Sequence, residues 1–232
     1  MWTPRKLYHY FTPVERMLWL SSVVLIVGSF LLFHQDSYIT LVASLIGATA
    51  LIFMAKGNPI SQVLIVIFSI LYGIVSYSFA YYGEMITYLG MTMPMGIVAL
   101  VAWIRNPYKG NSAEVTVNKV GRTEALLLVP LTAAVTFGFY FILRYFHTAN
   151  LIPSTLSVAT SFAAAYLTAR RSPYFALAYA LNDVVLIVLW VLATIADIGY
   201  LSVTACFTVF LINDLYSFFN WRRMSKRQSE QP

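Results

Sequence analysis

Apolar runs of about twenty residues, separated by short polar turns, recur along the whole chain. Eight such runs fall at roughly 17–33, 37–54, 60–82, 85–104, 123–146, 151–168, 173–196 and 200–220. A hydrocarbon core of about 30 Å takes about 20 helical residues to cross, and each run meets or approaches that length. The pattern predicts an all-α membrane protein of about eight transmembrane helices. The first run follows Arg5, Lys6 and Arg16, as a signal peptide would. It ends in His34-Gln35-Asp36 without a small-x-small cleavage pattern and leads straight into another span, so it is expected to be retained. Residues 1–14 mix Trp2, Tyr8, Tyr10 and Phe11 with Arg5 and Lys6, and read as an interfacial stretch lying on the membrane.

The polar turns carry the orientation. Threading the eight runs alternately through a bilayer puts both termini on one side, with all fifteen Lys and Arg residues except Arg144. Lys56, Arg105, Lys109, Lys119, Arg122, Arg170, Arg171 and the Arg222-Arg223 pair all fall there, while Asp36, Glu84 and Asp197 fall opposite. Positive charge marks the cytoplasmic side, so both termini are expected in the cytoplasm. Trp19, Trp103 and Trp221 fall at cytoplasmic helix ends, and Tyr77, Tyr81 and Tyr82 at the outer boundary, which reads as a pair of interfacial aromatic belts.

The order of runs and turns repeats. From Ser37 it reads span, Ala55-Lys56-Gly57-Asn58-Pro59, long span, Tyr82-Gly83-Glu84, span, Trp103-Ile104-Arg105. From Leu151 it reads span, Ala169-Arg170-Arg171-Ser172-Pro173, long span, Asp197-Ile198-Gly199, span, Trp221-Arg222-Arg223. Two three-helix units joined directly would be inverted, and the run at 123–146 restores a common orientation, giving a parallel repeat. The expected organisation is an interfacial N-terminus and extra helix over 1–36, a first triple-helix unit over 37–104 and a cytoplasmic loop with an inverting linker helix over 105–150. A second triple-helix unit follows over 151–221, then a basic cytoplasmic tail over 222–232. Within the loop, Val115-Thr116-Val117 is expected to extend briefly. Pro94 and Pro130 fall inside spans and read as tolerated kinks.

Composition adds exclusions. A chain that is 59% hydrophobic and 10% charged has far too much apolar surface for a soluble domain of 232 residues. The net charge of +6 lies in the turns between apolar runs, so it reports topology and not nucleic-acid binding. Cys206 is alone, which excludes an internal disulfide, and it reads as a packing residue. His9, His34 and His147 fall in terminal or loop positions without metal-ligand spacing. No catalytic residue, metal or cofactor is expected, and the chain reads as a transporter and not an enzyme.

Polar groups at membrane depth are costly and mark function by default. Asp183 falls ten residues into the seventh run, roughly 15 Å deep at 1.5 Å per residue. Tyr179, Asn182, Asp183, Leu186 and Trp190 share one helical face. Asn213, Asp214 and Ser217 form a second patch in the eighth run, and Gln62, Ser69, Tyr72, Gly73 and Ser76 a milder stripe in the third. The candidate substrate-binding set is Asn182, Asp183, Asn213, Asp214, Tyr179, Trp190 and Tyr72. The first unit has apolar residues at the positions matching the Asn-Asp pairs, so the cavity is expected to be asymmetric. Aromatic faces attract a cationic ring, and carboxylates and carboxamides bind hydroxyls or an amide. No Lys or Arg lies deep in a span, so a phosphorylated solute has no partner there. A neutral or cationic heterocycle fits best.

Leu181-Asn182-Asp183, Ile198-Gly199-Tyr200 and Leu211-Ile212-Asn213 running to Asn220-Trp221-Arg222-Arg223 resemble the PnuC family of bacterial vitamin transporters. The 3+1+3 plan of residues 37–227 is similar to the same family, whose fold resembles a duplicated SWEET-type triple-helix bundle. The resemblance implies a homotrimer that carries nicotinamide riboside by facilitated diffusion into NAD synthesis. A cytoplasmic nucleoside kinase then traps the solute. Asn182 and Asn213 match family asparagines. The chain departs from the family where Leu100-Val101-Ala102-Trp103 replaces a Trp-x-x-Trp pair, and where an apolar residue near Leu192 replaces a glutamine. The resemblance leaves thiamine and riboflavin as alternative vitamins in a bacterial plasma membrane, and Asp183 or Asp214 leaves a proton-coupled small-solute carrier open.

Overall fold

A computed structural model describes residues 10–33, 37–78, 81–148, 150–196 and 198–230. Residues 1–9 of the interfacial stretch, the turn His34-Gln35-Asp36 and Asp197 lie outside the described residues. Eight helices follow one another: α1 Pro13–Phe33, α2 Tyr38–Ala55, α3 Ile60–Ser78, α4 Tyr82–Ile104, α5 Arg122–Tyr145, α6 Leu151–Ala169, α7 Tyr174–Ala196 and α8 Leu201–Glu230. Each is long and apolar enough to cross a membrane, and the chain is a multi-pass membrane protein. The core runs through α2, α3, α4, α7 and α8, with α6 against α4 and α7, α1 against α2 and α8, and α5 at the margin against α6.

Short polar signals start and stop these helices. Thr12 and Glu15 form a reciprocal cap on α1: the Thr12 amide donates to Glu15 Oε2 at 2.7 Å, and the Glu15 amide to Thr12 Oγ1 at 3.2 Å. Ser37 caps α2 by accepting from the Ile39 amide at 3.1 Å. Helix α2 ends with Gly57 at φ 66, its amide donating to Met54 O at 2.9 Å and the Asn58 amide to Phe53 O at 3.1 Å. Helix α6 ends the same way. Arg171 sits at φ 58, its amide donates to Thr168 O at 2.9 Å, and the Ser172 amide donates to Leu167 O at 3.0 Å. Both turns close the last carbonyls of their helix and hand the chain to a proline, Pro59 or Pro173, that cannot continue it.

Gly57 is also close-packed. A Cβ there would lie 3.1 Å from Met224 Cε and 3.2 Å from Val115 Cγ1. Gly57→Ala combines that crowding with a left-handed backbone, and is expected to cost about 1–2 kcal/mol. Thermal unfolding in detergent measures it; an unchanged midpoint would show that the turn carries no strain.

Trp103 and Trp221 correct the expected aromatic belt. Both are fully buried. The Trp103 indole N–H donates to Thr168 O at 2.8 Å, and that of Trp221 to Met54 O at 2.8 Å. Trp103 of α4 thus reaches the last turn of α6 and Trp221 of α8 that of α2, and their rings pack together at 5.4 Å. Each carbonyl already accepts from an amide of its own turn, Met54 O from Gly57 and Thr168 O from Arg171, and its second lone pair takes the indole N–H. Trp19 is exposed at the lipid boundary while bonding Thr49 Oγ1, and Tyr77 is exposed, but Tyr81 is buried.

The segment after α4 folds as a β-hairpin, β1 Pro107–Tyr108 against β2 Asn111–Val115, where only Val115–Val117 was expected to extend. Lys109 at φ 49 and Gly110 at φ 77 form its two-residue turn, the geometry that matches strand twist. The Val115 amide donates to Gly57 O at 2.9 Å and the Asn118 amide to Arg171 O at 3.0 Å, so the strand and its extension tie the two similar turns together. Arg227 pairs with Glu114, and the Gln228 side chain bonds Val115 O at 3.1 Å and the Val117 amide at 2.8 Å. These contacts continue α8 to Glu230, through the stretch from Arg222 that reads in sequence as a separate tail. At the same end, buried Glu15 pairs with Lys56 at 3.2 Å and accepts from Tyr216 Oη at 3.2 Å.

Helix α4 begins at Tyr82, so Tyr82-Gly83-Glu84, a turn in the sequence reading, is helical and Glu84 is buried. Between Tyr88 and Thr92 the helix widens to a π-turn, where the Met93 amide bonds Tyr88 O five residues back. Pro94 supplies the cause. It has no N–H to donate, and its ring crowds the carbonyl four residues back in a regular α-helix. Tyr88 and Met91 of this turn are buried.

Candidate functional site

The interior stripe of α3, with Gln62, Ser69, Tyr72 and Ser76 all buried, faces the polar stripe of α7 through the bundle centre. Between them lies an enclosed pocket of about 40 Å³, room for a few waters. Its lining is two-sided. Leu51 and Met54 of α2, Ile65 and Phe68 of α3 and Phe207 and Phe210 of α8 form an apolar wall. Ser161 of α6, Tyr179, Asn182 and Asp183 of α7 and Asp214 of α8 form a polar wall, and Tyr88 and Thr92 of the π-turn lie at the seam. The rings interlock: Phe68 lies 5.9 Å from Tyr88 and 5.6 Å from Phe210, and Phe207 lies 5.6 Å from Phe210.

Helix α6 fixes Asn182. Thr160 Oγ1 donates to Asn182 Oδ1 at 2.8 Å and Ser161 Oγ donates to the same oxygen at 2.9 Å. Two donors hold the carbonyl end of the carboxamide, which leaves the amino end to donate to a ligand. Asp183 and Asp214 are each 2–3% exposed, and their carboxyls interact across the α7–α8 interface. Asp183 Oδ2 and Asp214 Oδ1 have no hydrogen-bond partner among the described residues. No Lys or Arg lines the pocket. Two neighbouring carboxyls away from water, with open acceptor positions, are suited to a ligand that brings positive charge and donors.

Tyr179, Asn182, Asp183 and Asp214 of the candidate set therefore come together on one wall. Tyr72 and Trp190 do not line the pocket. Both are buried one layer further from the termini, with Tyr72 4.4 Å from Tyr88 and 6.3 Å from Trp190. Asn213 turns away altogether. Its Nδ2 donates to Ser22 Oγ of α1 at 3.1 Å and to Val209 O at 2.8 Å, so it fastens α1 to α8. Successive helical residues point about 100° apart, so an Asn-Asp pair on α8 serves two neighbours. Sequence reasoning missed Thr160, Ser161, Thr92 and Tyr88. Ser154, Ser157 and Ser161 do recur on one face of α6, a faint signal. Tyr88 depends on the π-turn and had none.

Comparison with known proteins places these features in context. Residues 37–223 match the family model described as nicotinamide mononucleotide transporter. The chain is 28% identical over 235 residues to the nicotinamide riboside transporter PnuC of Neisseria mucosa, covering 99% of this chain and 89% of that protein. The crystal structure of a vitamin B3 transporter, PnuC, matches with a TM-score of 0.81 at 25% identity, covering 94% of each chain.

Proposed function

Since this chain belongs to the nicotinamide mononucleotide transporter family, we propose that it carries nicotinamide riboside through the central pocket by facilitated diffusion. The chain is a transporter and not an enzyme. The family description and the relative's name differ by one phosphate, and the pocket distinguishes them. Paired Asp183 and Asp214 with no Lys or Arg in the lining suit a pyridinium cation with ribose hydroxyls, and oppose a phosphate dianion. This is the observation that carries the reading. The flat faces of Tyr88, Phe68 and Phe207 take the ring, the carboxyls take its charge and hydroxyls, and the Asn182 amino group takes a carboxamide or hydroxyl oxygen.

At about 40 Å³ the pocket is closed around less than the solute's size, so transport requires the walls to part. The two triple-helix units of a parallel repeat, similar to SWEET bundles, supply the moving parts. The matched turns at Gly57 and Arg171, and the reciprocal Trp103 and Trp221 hydrogen bonds, support that repeat. The basic end with both termini is cytoplasmic in this reading. A cytoplasmic kinase that phosphorylates the riboside traps it for NAD synthesis, since the product no longer suits the pocket. The assembly is a homotrimer. Sparse burial along α5, and the unpartnered Thr132 and Thr136 hydroxyls beside the α5–α6 groove, support contact with another copy.

Purified protein in liposomes is expected to take up nicotinamide riboside and to discriminate against its mononucleotide by at least about 100-fold, the scale set by an unpaired buried charge. Thiamine, also cationic, is the stronger of the other vitamins, with riboflavin weaker. An imposed pH gradient is expected to leave uptake unchanged, since diffusion alone drives it. Accumulation that follows the gradient would favour the proton-coupled reading, and equal uptake of riboside and mononucleotide would overturn the phosphate argument.

A further inference from the structure

The central pocket leaves a second acidic group unexplained. Glu84 lies in the first turn of α4, at the end of the bundle away from the termini, and is 1% exposed. Its Oε2 has no hydrogen-bond partner among the described residues. No ion pair among the described residues involves it. A buried carboxyl with one oxygen left unsatisfied is costly and asks for a functional reason.

Its surroundings are aromatic. Glu84 follows Tyr81, the residue that precedes α4, by three positions and precedes Tyr88 by four, so all three fall near one side of the helix start. Tyr81 packs 5.0 Å from Trp190 and 5.8 Å from Tyr200, and Trp190 packs 5.7 Å from Tyr200. The Tyr72 hydroxyl, the Trp190 indole N–H and Ser76 Oγ have no hydrogen-bond partner among the described residues. Several buried polar atoms thus stand open inside one ring cluster. That cluster leads to the central pocket: Tyr88, one turn below Glu84 on α4, lines the pocket and lies 4.4 Å from Tyr72.

We propose that Glu84, with the rings of Tyr72, Tyr81, Trp190 and Tyr200, forms a second cation site. It stages a positively charged aromatic solute before the solute passes Tyr88 into the central pocket. This rests on the central pocket being the transport site and on the basic end facing the cytoplasm. The chemistry is that of an aromatic cage: ring faces attract a delocalised cation and one carboxyl supplies the countercharge. The open Tyr72, Ser76 and Trp190 groups provide donors and acceptors for the solute's hydroxyls and carboxamide as it moves. The π-turn between Glu84 and the pocket gives α4 a local irregularity at which Tyr88 can swing aside.

The test compares two solutes of nearly equal shape in proteoliposomes, nicotinamide riboside with its cationic pyridinium and the reduced riboside with a neutral dihydropyridine. The readout is the ratio of their initial uptake rates at low concentration. Glu84→Gln is expected to lower that ratio about tenfold, the effect of losing one countercharge interaction, mostly through a higher half-saturation concentration. Glu84→Asp, which keeps the charge, is expected to restore most of it. Tyr81→Leu removes a cage wall while leaving Glu84 intact, and is expected to lower the ratio severalfold. It provides the measurement if Glu84→Gln does not fold. A ratio unchanged in Glu84→Gln, or in Tyr81→Leu where the first is not obtained, overturns the site. Equal losses for both solutes also overturn it, because they report structure alone. Wild-type protein that takes up neither solute instead overturns the central reading, so the two failures are separable.

Discussion

Asp183→Asn is expected to reduce nicotinamide riboside uptake into liposomes by about 10- to 100-fold, with the protein still folded. Asparagine keeps the shape and most of the hydrogen bonding, so the loss reports charge. A hydrogen bond to a charged group contributes about 1.5–3 kcal/mol, and each 1.4 kcal/mol is tenfold in binding. Asp214→Asn is expected to behave alike. The double substitution should cost less than the sum, because both carboxyls address one cation. Stability should move the other way. Two neutral amides at 2–3% exposure are cheaper to bury than two interacting carboxyls, so both variants are expected to unfold at or above the wild-type midpoint. Initial-rate uptake over a range of solute concentrations decides the point. Uptake within twofold of wild type for both variants would remove the carboxyls from the site.

Trp221→Ala carries the largest expected effect on stability. The side chain is fully buried, its ring lies 4.9 Å from Phe175 and 5.4 Å from Trp103, and its N–H satisfies Met54 O at 2.8 Å. Removing a buried Trp leaves a cavity costing about 3–5 kcal/mol; Met54 O keeps the Gly57 amide, so the lost indole bond adds about 0.5–1.5 kcal/mol. At about 2–4 °C per kcal/mol for a chain of this size, the unfolding midpoint in detergent should fall by more than about 10 °C. Trp221→Phe keeps a ring and loses the N–H, so it should fall by much less. Combining Trp221→Ala with Trp103→Ala measures the coupling of the two rings, and strict additivity would show that they stabilise their units independently.

The eight runs placed the helix ends to within about four residues, apart from α8, which runs on to Glu230, because lipid demands both length and continuous apolarity, and few other patterns satisfy both. The Asp183 face was legible for the same reason, since a carboxyl in a run of Ala, Leu and Val stands out. Three features escaped. The role of Trp103 and Trp221 was invisible because a Trp near a helix end looks alike whether it meets headgroups or a neighbouring carbonyl. Asn213 resembled Asn182 in its dipeptide, but one faces α1 and the other faces the pocket, which depends on how each helix is rotated. Glu84 looked like a turn residue because Tyr82-Gly83-Glu84 carries turn-like composition, whereas packing of Gly83 against Thr148 and Leu143 lets the helix begin there.

The amino-acid sequence by itself determined that this chain has eight runs long and apolar enough to cross a membrane, where most of those helices begin and end, and which of them carry carboxyls well inside. Those properties follow from local hydropathy and the cost of an unpaired polar group, which each segment has alone. Tertiary structure decided which polar side chains share a pocket, which tryptophans reach the last turn of another helix and which acid is buried at the start of α4. Those properties depend on helix rotation and on neighbours more than fifty residues away, as when Trp221 reaches Met54, and no single segment contains them.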